Sequence, residues 1–180
     1  MTFRAEGGKS ERIKKGRQKG GKGAAPLTVP EEMKQWLQAP SDGTWSFRVE
    51  DDRCLAIPQQ WAGLYDCLRS RLRILHAGVT LGELKGRDWQ PHHSLAMSTR
   101  LNRGAFPEAS LDYMQAVSYL RKEAVTLGPD VPRGYVLLTY QGHPLGFAKN
   151  IGNRANNLYP AEWRIRSGYL PEELRLVGWQ

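Results

Sequence analysis

Cysteine is nearly absent: only Cys54 and Cys67 occur, with no C-x2-C pair. That excludes a disulfide framework and a cysteine zinc site. Both thiols are expected free, as small apolar groups in a reducing compartment. Histidine is almost as scarce. His92 and His93 are adjacent, His76 and His143 stand apart, and no H-x3-H spacing occurs. No metal site is expected. No apolar run approaches the roughly 18 residues that a membrane helix needs. The N-terminus carries positive residues but no following apolar stretch, so it does not read as a secretory signal. A cytoplasmic, membrane-free protein is expected. There is no G-x-S-x-G elbow and no internal repeat.

Charge of one sign is what the chain has in excess. The 180 residues carry 26 Lys/Arg against 18 Asp/Glu, a formal net charge of +8 with a pI near 9.7. The excess is uneven. Residues 1–23 hold eight basic and two acidic residues, so +6 of the total lies there. Residues 4–25 are Gly- and Lys/Arg-rich with Ile13 as the one branched aliphatic, and residues 1–26 read as a disordered basic arm. Such a segment serves either as a solvated linker or as a tether for polyanions, with affinity that falls as salt rises. The remainder is 18 basic against 16 acidic, and a 40% hydrophobic content predicts a globular core.

The pattern after residue 26 alternates short helices and strands. Thr28 to Glu31 reads as a capping box opening a helix over 32–38, with Met33, Trp36 and Leu37 on one face. Trp45, Phe47 and Val49 alternate with polar residues, and 53–57 reads as a second strand. A helix is predicted from Pro58 to about Arg69, with Trp61, Leu64, Tyr65 and Leu68 at helical spacing toward the core. Leu72–His76 and Val79–Leu84 read as paired strands, residues 88–91 as a turn, and 92–97 as a short helix. Asp112 with Gln115 three residues on predicts a capped helix. The apolar residues beyond Gly168 are expected to pack on the body. The fold class is α+β, and three parts are expected. They are a disordered basic arm (1–26), a small α/β domain with an N-terminal helix (27–110), and a helix plus β domain (111–180).

The stretch 134–166 carries the strongest signal. Residues 134–140 are β-branched and aromatic, Gln141, Gly142 and His143 suit a tight turn, and 144–149 carries the chain back. The Asn- and Gly-rich run 150–157 then reads as a specified loop, followed by a basic, aromatic strand. Residues 131–168 hold Arg133, Lys149, Arg154, Arg164 and Arg166 against Glu162, a net +4. Cations beside aromatic rings suit RNA, whose phosphates take the charge and whose unpaired bases stack. On a strand, Arg164 and Arg166 would share one face and leave Trp163 and Ile165 for the core. Candidate RNA contacts are Lys149, Asn153, Arg154, Asn156, Tyr159, Arg164 and Arg166. The Asn side chains have a second, compatible role in holding the loop.

The run LLTYQGHPLGFAKNIGNRANNLYPAEWRIR (137–166) resembles the C-terminal RNA-binding domain of RsmF-type rRNA cytosine-C5 methyltransferases of the Nop/Sun family. Upstream, Gly78, Leu81, Gly82, Lys85, Pro91, His93, Leu95 and Ala96 stand on a GxxLGxxKxxxxxPxHxLA run similar to the smaller domain that precedes it. The resemblance implies a PUA-like β-pseudobarrel after a small α/β domain, with rRNA as partner. It also implies a nucleophilic cysteine, a second cysteine that releases product, and S-adenosylmethionine bound in a Rossmann-like domain. This sequence departs from that pattern. Cys54 follows Arg53, Cys67 follows Asp66, and no Gly-rich turn lies between a strand and a helix. No catalytic residue and no cofactor are therefore expected in this chain. It reads as a monomeric RNA-binding part of such an enzyme, or as a free-standing version that works with a catalytic domain in cis or in trans. The initial Met fits both. One rival is a protein–protein module docking on a methyltransferase or ribosomal protein, with its apolar patch in 169–180. Another is an enzyme with a pocket lined by His76, His92, His93 or Asp88.

Overall fold

The computed structural model describes residues 28–41 and 43–169. The expected disordered arm and the segment beyond Tyr169 lie outside the described residues. Among the described residues there are two four-stranded sheets and four short α-helices, an α+β architecture.

The first sheet is a fully antiparallel meander of β1 (Trp45–Glu50), β2 (Arg53–Pro58), β3 (Val79–Lys85) and β4 (Asp88–Pro91). The β1–β2 turn is Asp51-Asp52, with Asp51 at φ 53°, a region Asp tolerates. β4 corrects the turn expected at 88–91. Trp89 pairs opposite Leu84, and a new turn at Gly86 and Arg87 separates the strands. Residues 72–76 form no strand, which corrects the expected pairing with 79–84. Helix α1 (Glu31–Lys34) is a single turn, capped by Pro30 without a side-chain bond, so the Thr28 capping box does not form. Met33 is its buried residue; Trp36 and Leu37 are also buried but follow the helix, in a turn and a bridge to Leu101, so the helix expected to residue 38 ends early. α2 (Ala62–Arg69) packs through Ala62 and Tyr65 only. Trp61, Leu64 and Leu68 are exposed, contrary to the core face read from their spacing.

α3 (His93–Ala96) follows β4 and lies between β3 and the second sheet. That sheet has the order β5 (Glu108–Ser110), β6 (Gly134–Tyr140), β7 (His143–Asn150) and β8 (Ala155–Asn157). β5 pairs parallel with β6 and the rest are antiparallel, so the second sheet begins upstream of the boundary expected at residue 111. Gln141 and Gly142 both take positive φ (49° and 80°) and close the β6–β7 hairpin as the turn signal predicts. β8 falls inside the Asn-rich stretch expected to be loop. Its three residues complete the ladder on β7. α4 (Tyr113–Leu120) starts at a complete capping box between Asp112 and Gln115.

β6 explains how one body forms from two sheets. It is buried on both faces, as its continuous apolar run requires. Leu137 and its partner Phe147 face a core with Met33, Leu81 and Leu95 from the first sheet side. Val136, Leu138 and Ala148 face a second core under α4 with Tyr119 and Ala155. Phe106 bridges Trp36 and Phe147, with ring centroids 5.1 and 4.8 Å away. At the junction Gly146 has φ 146°, and a Cβ there would overlap the Tyr119 hydroxyl and lie 3.0 Å from His93 Nδ1. Only glycine lets β7 approach both rings.

Candidate nucleic-acid interface

The C-terminal end of α4 organises the candidate surface. Helix ends leave carbonyls without intrahelical partners. Here Asn157 supplies them: its amide donates to the Tyr119 and Glu123 carbonyls at 2.7 and 2.8 Å, and its oxygen accepts from Tyr159 N. Lys122, at φ 68°, turns back and donates to the Asn157 and Tyr159 carbonyls. Burial pulls the Lys122 amine below its usual pKa. Asn150 plays a similar part at the other end of the loop, donating to Val131 and Pro132 carbonyls and accepting from Gly152 N. These are the asparagines that hold the loop. Asn153 and Asn156 are exposed and take no part in these bonds.

Around this staple the cations gather. Arg154 and Asn156 line one open hollow of about 320 Å³ together with Lys122. Arg164 and Arg166 line another of about 430 Å³ with Arg121 and Glu123. The two arginines are not on a strand, which corrects that expectation. After a 3-10 turn over Ala161–Trp163 the chain runs extended, tied to α4 by Ile165 N donating to the Leu120 carbonyl at 3.0 Å. With no sheet to cover them, Trp163 (60% exposed) and Ile165 stay out of the core. Arg133 lies over the backbone of Gly152, close to the same loop. Arg121, Lys122 and Arg133 stand outside the sequence-derived set. The first two lie just past the end of α4 at Leu120.

Two other expected residues sit differently. Lys149 is in a cross-strand row with Tyr135 and Asn156. Its amine is 5.2 Å from the Tyr135 ring centre and 3.6 Å from an Asp88 carboxylate oxygen, so much of its charge is answered by the first sheet. Tyr159 is half-buried, edge-on to His93 at 5.1 Å and Tyr119 at 5.5 Å, and so is partly structural.

Tyr159 also lines a cleft of about 760 Å³ between the sheets, with His76, His92, His93 and Trp163. These include three of the four groups that an enzyme reading requires. Their geometry does not favour acid–base work. His92 Nδ1 accepts from Ser94 N and caps α3. His93 is buried, its Nδ1 has no hydrogen-bond partner, and burial lowers its pKa to about 4. Cys54 is fully buried, and burial raises its thiol pKa to about 12, so it is no nucleophile. Cys67 is exposed on α2. No group of three potential metal ligands occurs among the described residues, and no helix there is long and apolar enough to cross a membrane.

A small mixed sheet wrapped on one capped helix, with a cationic rim at that helix's end, defines a PUA-type domain joined to an antiparallel sheet. Residues 106–165 match the family described as the methyltransferase RsmF PUA domain. The chain is similar to proteins named ribosomal RNA small subunit methyltransferase F. Identity is 32% over 105 residues for the Erwinia tasmaniensis protein, covering 57% of this chain and 21% of that one. It is 28% over 122 residues for the Shewanella loihica protein, covering 67% and 24%. It is 34% over 107 residues for an Escherichia coli O139:H28 protein, covering 58% and 22%. The chain thus spans between a fifth and a quarter of the length of these relatives.

Proposed function

We propose that this chain binds structured rRNA through the rim at the end of α4 and holds it for cytosine-C5 methylation by a catalytic domain in cis or in trans. The observation that carries this reading is the charge there. Arg121, Arg154, Arg164 and Arg166 line two hollows whose one carboxylate is Glu123, and Lys122, which lines the first, is held by two backbone carbonyls. A fixed concentration of cations on a folded scaffold attracts phosphates and releases condensed counterions. The names of the relatives point to ribosomal RNA as the polyanion. The chain itself transfers no methyl group in this reading, and the buried, protonated Cys54 supports that. S-adenosylmethionine would be bound by the catalytic domain.

Filter binding of an rRNA helix tests the proposal. Arg154 and Arg166 are exposed, so an Arg154→Ala/Arg166→Ala variant keeps the fold. Removing one phosphate-bound cation reduces the slope of log affinity against log salt by ~0.7–0.9. The double variant should therefore bind more weakly and show a slope shallower by roughly 1.4–1.8. Lys149→Ala should do less, because Asp88 already answers that charge. Unchanged affinity and slope in the double variant sink the proposal.

A protein-docking role has one observation in its favour. The exposed Trp61, Leu64 and Leu68 line an apolar hollow of about 330 Å³ with Ile57 and Ile74. This patch lies on α2; the 169–180 segment, where the sequence reading puts an apolar patch, lies outside the described residues apart from Tyr169. A Leu64→Ser/Leu68→Ser variant, which adds no charge, should leave RNA affinity unchanged, which separates the two roles.

A further inference from the structure

The cationic rim accounts for phosphates, but it leaves the cleft between the two sheets unused. That cleft differs from the rim in charge. Its ionised side chains are Arg53 and Lys122 against Glu83 and Glu162, a formal balance of zero. Arg53 is already committed, with Nε 2.9 Å from a Glu83 carboxylate oxygen. Lys122 is committed to two backbone carbonyls. A phosphate gains little there. A flat, neutral, hydrogen-bonding ring fits better, for three reasons. The volume of about 760 Å³ lies within the range of small-molecule sites. The walls are aromatic: His93 carries Tyr159 and Trp163 edge-on at 5.1 and 5.2 Å. Trp163 is 60% exposed, so most of its ring surface is uncovered by the described residues. Gln90 and Glu162 add amide and carboxylate groups that can read a base edge. Lys122 lines both the cleft and the Arg154 hollow, so a chain crossing the rim passes the cleft mouth.

We infer that the cleft receives the base of a single unpaired nucleotide, stacked on Trp163, while the flanking phosphates lie on the rim. This rests on the RNA-binding reading and adds to it a preference for RNA with an extruded base. Unpaired bases are available for stacking in a way that paired ones are not.

The test uses the full chain and two short RNA duplexes, one fully paired and one with a single bulged fluorescent purine analogue. The wild-type protein should bind the bulged duplex more tightly and quench the analogue. Trp163→Ala should reduce affinity for the bulged RNA by about 5- to 150-fold, the span of base–aromatic stacking. It should leave the paired duplex and the melting temperature unchanged, since the ring is mostly exposed. Trp61→Ala, which removes an exposed tryptophan beside α2 instead, should keep the preference. Equal wild-type affinity for both duplexes, or a preference that survives Trp163→Ala, overturns the cleft inference while RNA binding stands. Failure of the wild-type chain to bind either duplex overturns both.

Discussion

Substituting Gly146 by alanine should be among the most disruptive single-methyl changes in the described chain. Its Cβ would overlap the Tyr119 hydroxyl and lie 3.0 Å from His93 Nδ1, at a φ of 146° that L-residues rarely adopt. Three penalties combine. The backbone conformation costs about 1–3 kcal/mol. Overpacking a filled core costs about 1–3 kcal/mol. The Tyr119 hydroxyl donates to the Phe147 carbonyl at 3.0 Å from a fully buried position, and pushing it away forfeits about 1–3 kcal/mol. These terms overlap, because relaxing one relieves another, so a net loss of about 3–5 kcal/mol is expected. Against a typical total of about 5–15 kcal/mol, that is a large fraction. Urea unfolding followed by tryptophan fluorescence measures it. The Tyr119→Phe background supplies the decisive comparison. Removing the hydroxyl removes the nearest clash, so Gly146→Ala should cost at least about 1 kcal/mol less there, a coupling expected of contacting residues. A Gly146→Ala protein within about 0.5 kcal/mol of wild type, or one showing no coupling to Tyr119, would refute the account of how the sheets are joined.

Other outcomes follow from the same geometry. Asn157→Ala should lower stability by about 1–3 kcal/mol in thermal melts, because the Glu123 carbonyl loses its side-chain donor and the Tyr119 carbonyl keeps only backbone donors, whereas Asn156→Ala should change little. His93 is held neutral, with its pKa lowered to about 4 from 6.5. Between those values the unfolded chain binds a proton that the folded chain does not, so stability falls as pH drops from about 6.5 to 4. A loss of about 1–2 kcal/mol is expected in urea titrations across that window, and His93→Gln should flatten it. Cys67 should react with a thiol reagent in the native protein at about pH 8, while Cys54, with its pKa raised to about 12, should react only on unfolding. Equal native reactivity of the two would contradict the burial of Cys54.

Local chemistry makes much of the fold legible. The Gln141-Gly142 turn, the capping box at Asp112 and the strand read from the alternation over 45–49 are each decided by a few neighbouring residues, and each appears as expected. The failures share a cause. α2 shows a helical apolar stripe, yet the described residues give it only Ala62 and Tyr65 to bury, so periodicity alone could not say whether a partner exists. Arg164 and Arg166 resemble strand residues because their pattern alternates, but a strand needs a neighbour with free hydrogen-bonding groups, and only Ile165 finds one. Residues 88–91 resemble a turn because Asp and Pro bound them, yet β3 offers an edge to pair with.

The sequence by itself determined the type of surface: how many cations fall between 131 and 168, and that the loop among them is rich in asparagine. It also determined the resemblance that the family match at 106–165 agrees with. The tertiary structure alone decided which groups stand free. Lys149 meets Asp88 from the other sheet, Asn157 closes α4 instead of facing solvent, and Lys122 joins the rim from a helix end far upstream in the chain. It alone also created the cleft, where His93 of α3 meets Tyr159 and Trp163 from beyond β8. Charge type is a property of single residues and survives in one dimension. Whether a charge is free or answered, and whether two rings face one space, depends on contacts between distant segments that only folding brings together.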